Sequence, residues 1–161
     1  MGCLTRCLLA GCVLLFWPAY LRAQAGLPLK HLQLTSSYGN RIHPVTGIYA
    51  FHAGVDLRAR SDTVFAVLPG IVEVEGFDPY LGIFIRLRNG NFQTIYGHLS
   101  RLFVFKGDTV SSETELGITG STGRVTGEHL HFEVKFHGTP IDPLAFLIAL
   151  IKRINNNLII K

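Results

Sequence analysis

A chain of 161 residues with 48% hydrophobic and 16% charged residues is short for more than one domain and too apolar for a disordered one. Its net charge of +4 includes Arg6 and Arg22 in the first 25 residues; without them the balance falls by two, to +2. The remaining cations cluster only at Lys152-Arg153, so charge supplies no basic patch to carry nucleic-acid binding, and a mildly positive chain suits an anionic cell envelope as well.

The chain opens with a short basic stretch, Met1 to Arg6. An apolar run from Cys7 to Leu21, interrupted by Pro18, follows, and then the small-x-small pattern Ala23-Gln24-Ala25. That is the anatomy of a secretory signal peptide over residues 1–25. The run is too short and too interrupted for a membrane span, which takes about 20 apolar residues. Leu9-Ala10-Gly11-Cys12 offers a rival reading, a lipoprotein box with Cys12 acylated. The strongest apolar run, Val13 to Trp17, follows that cysteine, whereas a lipobox closes the apolar region. The expected product, residues 26–161, is exported and periplasmic or envelope-associated. Cys3, Cys7 and Cys12 all lie in the leader, so the product has no disulfide and must rest on its core, or on a core plus a metal.

From Leu34 onward the sequence reads as short strands punctuated by glycine. Thr63 to Leu68, Gly70 to Gly76, Ile83 to Arg88 and Phe92 to Leu99 are rich in β-branched and aromatic residues, with a hairpin-turn signal at Asn89-Gly90-Asn91. Leu102 to Phe105, Glu115 to Thr119 and His131 to Phe136 follow, and His137 to Pro140 reads as a turn. No helical periodicity precedes residue 142. The expected fold is mainly β, an antiparallel sandwich or barrel-like domain. At the end, Asp142 can cap a helix whose first residue is Pro143. That C-terminal helix is predicted over 143–155, stopped by Asn155-Asn156-Asn157. It either covers one end of the core or, through Lys152, Arg153 and Lys161, touches a membrane surface.

The chemistry concentrates in histidines. In His129-Leu130-His131 the two imidazoles share one strand face, roughly 6–7 Å apart. His52 and Asp56 are separated by Ala53-Gly54-Val55. The glycine disfavours a helix, and the even spacing puts both side chains on one side of an extended segment. Each pattern alone is weak, and His98 in Tyr96-Gly97-His98-Leu99-Ser100 carries no signal by itself. Together they offer two histidines and a carboxylate, a known ligand set for catalytic zinc, with further histidines to spare. The absence of thiolates argues against a closed structural zinc site. Such a metal lowers the pKa of a water and polarises a carbonyl, the equipment for hydrolysing an amide.

These segments stand in the order and spacing of a known family. Ser37 to Gly47, Phe51 to Leu57, Tyr96 to Ser100, Gly120-Ser121-Thr122-Gly123, Thr126 to Val134 and Ile141 to Leu144 resemble the M23 zinc metallopeptidases, which include lysostaphin and the LytM-type cell-wall endopeptidases. The resemblance covers a core of residues 34–147. It implies a LytM-type peptidase domain with one Zn²⁺ held by His52, Asp56 and His131. His98 and His129 would be an unligated catalytic pair, one taking a proton from water while the other serves the tetrahedral intermediate or the leaving amine. His129 is the favoured base, being on the strand of His131. Arg41 and His43 are candidates to line the substrate groove, and Tyr49, near His52, a candidate donor to an oxyanion.

The resemblance further implies a peptidoglycan endopeptidase cutting peptide cross-links or stem peptides, with Arg41-Ile42-His43-Pro44 pointing to a D-alanyl–diaminopimelate bond. The alternative is a non-catalytic LytM-like module that binds the envelope and activates or scaffolds other hydrolases; the presence of all five chemical residues weighs against it. A nucleic-acid-binding β-barrel has little support, since it would need a basic, aromatic-studded face. With no wall-binding repeat in the sequence, delivery by a partner such as an envelope-spanning secretion or conjugation complex is expected. Asp62 and Glu113 depart from the family pattern at turns where glycine is frequent, and Leu81-Gly82-Ile83 replaces a common Tyr-Gly-Asn run.

Overall fold

The structure, a computed structural model, describes residues 25–42 and 47–159, with side-chain burial described through Arg153. The leader, with Cys12 and the expected cleavage site, falls largely outside them. The described residues form β1 (Leu34–Ser36), β2 (Gly39–Ile42), β3 (Tyr49–His52), β4 (Gly54–Arg58), β5 (Thr63–Phe65), β6 (Gly70–Asp78), β7 (Gly82–Asn89), β8 (Phe92–Leu102), β9 (Thr109–Val110), β10 (Glu115–Thr119), β11 (His129–Phe136), β12 (Thr139–Ile141) and α1 (Pro143–Ile159).

The main sheet runs β1-β4-β11-β8-β7-β6-β9. β12 pairs with β11, and β10 joins β5 to β8. β2 and β3 form a separate hairpin, and every pairing is antiparallel. The fold class expected from the sequence is therefore the one observed. Opposite its β7 edge, β8 serves two partners because it is long. Phe92 to Gly97 pairs with β11, and Leu99 to Leu102 pairs with β10. Its hairpin with β7 closes in two residues, with Asn89 opposite Phe92 and Gly90 at φ +65°, a conformation that glycine adopts without penalty.

Between the layers lie Val55, Leu57, Leu87, Tyr96, Leu99, Leu116, Leu130, Phe132 and Val134, all at most 2% exposed. Full burial of each large apolar side chain contributes about 1.5–3 kcal/mol. In β11 the core takes Leu130, Phe132 and Val134, so strand alternation sends His129, His131 and Glu133 to the other face.

The structure departs from the sequence reading at several boundaries. Four short strands occupy 34–58, where short strands were expected but only the His52–Asp56 stretch was placed; these strands are brief and polar, and they carry little hydrophobic signal. Leu102 to Phe105 is no separate strand. β8 ends at Leu102, and Asp108 closes a turn by accepting from the Phe105 amide at 2.8 Å. The turn at His137 is shorter than expected, since Thr139 already belongs to β12. At Glu113, where glycine was the expected turn residue, the backbone holds φ +66°, and Ser61, beside Asp62, holds φ +53°. The turns keep their shape without glycine at about 1–2 kcal/mol each.

The helix begins as expected, with Asp142 Oδ1 accepting from the Leu144 amide at 2.9 Å and Pro143 at its first position. It runs to Ile159, past the three asparagines that were expected to stop it. Asparagine only weakly disfavours a helix interior, and the apolar residues beyond the triplet continue the pattern. Leu147 is buried, Phe146 and Leu150 pack on the core, and Phe92 meets Phe146 at 5.2 Å. Among the described residues no helix is long and apolar enough to cross a membrane.

Tyr96 shows how tightly this core is satisfied. It is fully buried, and its hydroxyl accepts from the Val67 amide at 3.0 Å. Burial pushes the phenol up to about 12, against about 10 in an unfolded chain. Tyr96 therefore contributes stability that is complete below pH 10 and is lost as pH rises from 10 to 12. Tyr96→Phe is expected to cost about 1–3 kcal/mol at pH 7, because the Val67 amide loses its partner, and to flatten the fall in stability between pH 10 and 12. Urea unfolding at pH 7 and pH 11 checks both.

Candidate metal centre

β4 and β11 pair so that His131 lies opposite Asp56 and His129 opposite Arg58. The two strands come this close because residue 54 is glycine: a Cβ there would meet the Phe132 carbonyl at 2.6 Å and His131 Cε1 at 2.9 Å. His52 arrives from the end of β3, two residues before β4 begins, and turns back over Asp56. His52 Nε2 lies 3.2 Å from Asp56 Oδ1 and 3.1 Å from His131 Nδ1, and His131 Nδ1 lies 2.9 Å from the same oxygen. The two residues of the sequence pattern and the first ligand candidate on β11 thus converge on one carboxylate oxygen.

His98 reaches the same place by a backbone irregularity. Ile85 sits opposite Tyr96 and Ile83 opposite Leu99, so β8 spends three steps where β7 spends two. The extra residue sits in a bulge, and His98 takes up φ +61°. Tyr96 and Leu99 both enter the core, while the bulge re-aims His98 into the cleft. Its ring stands 4.6 Å from that of His129 and 5.7 Å from that of His131. A histidine with positive φ is uncommon and strained. Here the strain is held by the His98 amide donating to the Leu81 carbonyl at 2.6 Å and by Thr122, whose hydroxyl bridges the Ile83 amide at 2.9 Å and the Leu99 carbonyl at 2.7 Å.

Each imidazole is bound through one nitrogen to an oxygen that can only accept. His52 Nδ1 faces the Ser37 carbonyl at 2.8 Å, His98 Nδ1 the Thr122 carbonyl at 2.9 Å, and His129 Nδ1 the Gly127 carbonyl at 2.8 Å. His131 is reversed: its Nε2 faces the Glu133 carboxylate at 3.0 Å. Those nitrogens must carry the protons. In the neutral rings the opposite nitrogens, His52 Nε2, His98 Nε2, His129 Nε2 and His131 Nδ1, keep their lone pairs. For His52, His129 and His131 the freed nitrogen is the one that faces Asp56.

The charges follow. Burial works to raise the Asp56 carboxyl, but hydrogen bonds with His129, His131 and His52 override it and hold the group far below the usual carboxylate range. Burial opposes charge on His131 as well, yet Asp56 and Glu133 on its two sides raise it to about 9. Glu133 is lowered against its own burial by His131 and by Lys135 at 3.7 Å. His98 is lowered to about 4, first by burial and then by the neighbouring His129 and His131, so it is neutral at pH 7.

A cation fits this arrangement. Without one, the raised His131 is protonated and gives its Nδ1–H to Asp56 Oδ1; a metal would take that proton's place among His52 Nε2, His131 Nδ1 and Asp56 Oδ1, which lie within 3.2 Å of one another. Donors at 2.0–2.2 Å from a tetrahedral metal stand about 3.3 Å apart, close to the spacing observed. The supporting contacts are those typical of metal-binding histidines, with the far N–H of each ring given to a carbonyl or a carboxylate. Among the described residues these three form the group able to hold a metal ion, and the set suits zinc.

The site lies in a cleft of about 390 Å³ that is also lined by Phe51, Ala53, Tyr80, Leu81 and Arg124. Arg41 lines it as expected. Its Nη2 lies 3.5 Å from Asp56 Oδ2, which leaves Oδ1 to the histidines, and its buried Nε has no hydrogen-bond partner. Tyr49, exposed and of opposite parity to His52 on β3, does not line the cleft. His43 lies outside the described residues.

The sequence reading missed Glu133, Ser37, Thr122 and Gly127. Glu133 was findable, since it follows His131 by two and must share its face. The other three act through backbone carbonyls, which residue type does not reveal. The Gly120-Ser121-Thr122-Gly123 turn packs closely on the start of β7: a Cβ at Gly123 would fall 2.3 Å from the Gly82 nitrogen.

Residues 50–143 match peptidase family M23. The chain is 34% identical over 120 residues to DD-carboxypeptidase/endopeptidase Mpg of Neisseria meningitidis, a match covering 73% of this chain and 28% of that protein. It is 40% identical over 106 residues to peptidoglycan DD-endopeptidase ShyA of Vibrio cholerae, covering 65% of this chain and 25% of that one. The chain therefore spans less than a third of the length of either relative. Its fold superposes on a crystal structure of a zinc-containing peptidase from Vibrio cholerae with a TM-score of 0.69 and 36% identity, over 75% of this chain and 39% of that one.

Glu133→Ala removes the acceptor that fixes His131 in its metal-facing tautomer, and it is expected to weaken zinc binding about 10–100-fold. Competition with a chromogenic chelator measures this; unchanged affinity would reduce Glu133 to a partner of Lys135.

Proposed function

The chain belongs to peptidase family M23, and on that premise we propose that it is a zinc-dependent endopeptidase that hydrolyses peptide cross-links or stem peptides of bacterial peptidoglycan. The observation that carries this reading is the convergence of four imidazoles and the Asp56 carboxylate in one open cleft, each ring with one nitrogen held by an oxygen acceptor. The endopeptidase names of the two relatives support the substrate class. Such a substrate puts its work outside the cytoplasm, in keeping with the leader read from the sequence.

His52, Asp56 and His131 would hold the zinc, which when bound supplies a water of pKa near 7 and a Lewis acid for the scissile carbonyl. The remaining roles belong to the chain's own groups. Arg41 holds Asp56 Oδ2 and keeps Oδ1 turned into the site. His129 Nε2, 3.5 Å from Asp56 Oδ1, takes the proton from the attacking water and passes it to the leaving amine; the nearby carboxylate offsets the charge that the ring gains. His98 stays neutral, and with its Nδ1–H held by Thr122 its Nε2 is an acceptor that orients the water.

Digestion of purified sacculi, followed by mass spectrometry of the released fragments, tests this. Wild type is expected to open cross-links, to stop when zinc is chelated and to recover when it is restored. His131→Ala is expected to abolish release, and His129→Ala to slow it about 10²–10⁴-fold. Equal release by His131→Ala and wild type would overturn the proposal, and no zinc on a chain that still binds sacculi would favour the non-catalytic module.

A further inference from the structure

A second cavity adjoins the metal centre. It has a volume of about 430 Å³ and is lined by Lys30, His31, Arg58 and Arg60, with Leu29 and Ala59 buried beneath. The acid in its lining, Asp62, is engaged: its Oδ2 accepts from the Arg60 amide at 2.9 Å. Three permanent cations thus line it with one acid; Lys30 Nζ stands 6.0 Å over the Phe65 ring, and a second acid, Glu128, reaches the wall at the Ser61 amide. Arg58 lines this cavity and His129 lines the cleft, and the two are register partners across β4 and β11. Asp56 and Arg58, two apart on β4, share a face about 7 Å apart. Two residues of an extended peptide span the same length, so a chain lying along β4 with its scissile amide at Asp56 has its next side chain on that face at Arg58.

The wall of this cavity is fixed to the catalytic strand. Glu128, the residue before His129, accepts from the Ser61 amide and from the Thr119 hydroxyl, the latter at 3.0 Å. Thr119 Oγ1 in turn accepts from the Asp62 amide at 2.9 Å. Ser61 holds φ +53° within this lock. The loop carrying Arg60 is therefore bolted to the segment that presents His129, which gives the cavity a set position relative to the site of cleavage.

We propose that this basic cavity is a specificity subsite that binds a free carboxylate on the peptide substrate, one to two residues from the scissile bond. The proposal rests on the hydrolase reading above. Peptidoglycan stem peptides carry free carboxylates on acidic and diamino-acid residues, and bacteria that amidate them remove the charge without changing the shape. The enzyme then discriminates by charge as well as by backbone. A pocket this exposed is screened by salt beyond about 8 Å at physiological ionic strength, so the discrimination is strongest at low salt.

Titration calorimetry with monomeric muropeptides tests this on the full chain, with mass spectrometry before and after each titration to verify that the stem peptide is uncut. Wild type is expected to bind the free-carboxylate form at least tenfold more tightly than the amidated form. In Lys30→Ser/Arg58→Gln/Arg60→Ser that preference is expected to fall below twofold, with binding of the amidated form retained. Lys30→Ser/Arg60→Ser alters exposed side chains outside the strand and carries the same test should the Arg58 change disturb folding. Equal affinity of wild type for the two forms, or an unchanged preference in the variants, overturns the subsite. A chain that cleaves sacculi yet shows no preference loses only this proposal. One that shows the preference yet cleaves nothing loses only the hydrolase reading.

Discussion

The site depends on one constraint: four imidazoles each surrender one nitrogen to an oxygen that cannot donate. Ser37, Thr122 and Gly127 supply carbonyls, and Glu133 supplies a carboxylate. Because a neutral ring has one N–H, the remaining nitrogen must be an acceptor. The fold thus decides which nitrogen of each neutral ring is left to meet a metal or a substrate. The reversal at His131, bound through Nε2 where the others are bound through Nδ1, lets a ring rooted in β11 offer its near nitrogen to the point that His52 reaches with its far one.

Much of the β-sheet exists to hold those acceptors still. β11 carries His129, His131 and Glu133 on one face because Leu130, Phe132 and Val134 are committed to the core on the other. β8 cannot offer His98 by alternation, since Tyr96 is also core, and the bulge at Gly97-His98 resolves the conflict. The strained φ of His98 is held by the Leu81 carbonyl and by the Thr122 loop, which also receives its ring proton. The basic cavity beside Arg58 extends the same arrangement along β4.

The part of this that was legible in the sequence is the part written in side-chain type and period. His129-x-His131 and His52-x-x-x-Asp56 announced a shared face, and the alternating apolar residues of β7, β8 and β11 announced the strands. Residues acting through their backbone were illegible: nothing about Gly127 or Ser37 as residue types says that its carbonyl receives an imidazole proton. The bulge was hidden as well, because Tyr96 and His98 read as one face under strict alternation. Tyr49 misled for a related reason, since closeness in sequence to His52 conceals opposite parity. The asparagine triplet failed to stop α1 because local preference is weak against a continuing apolar pattern.

The account turns on proton positions, and these can be observed directly. Long-range ¹H–¹⁵N correlation spectra of the zinc-loaded protein report the tautomer of every histidine. The structure predicts the Nδ1–H form for His52, His98 and His129 and the Nε2–H form for His131 alone. A proton on Nδ1 of His131 or on Nε2 of His52 would contradict the arrangement from which the proposed zinc centre is built.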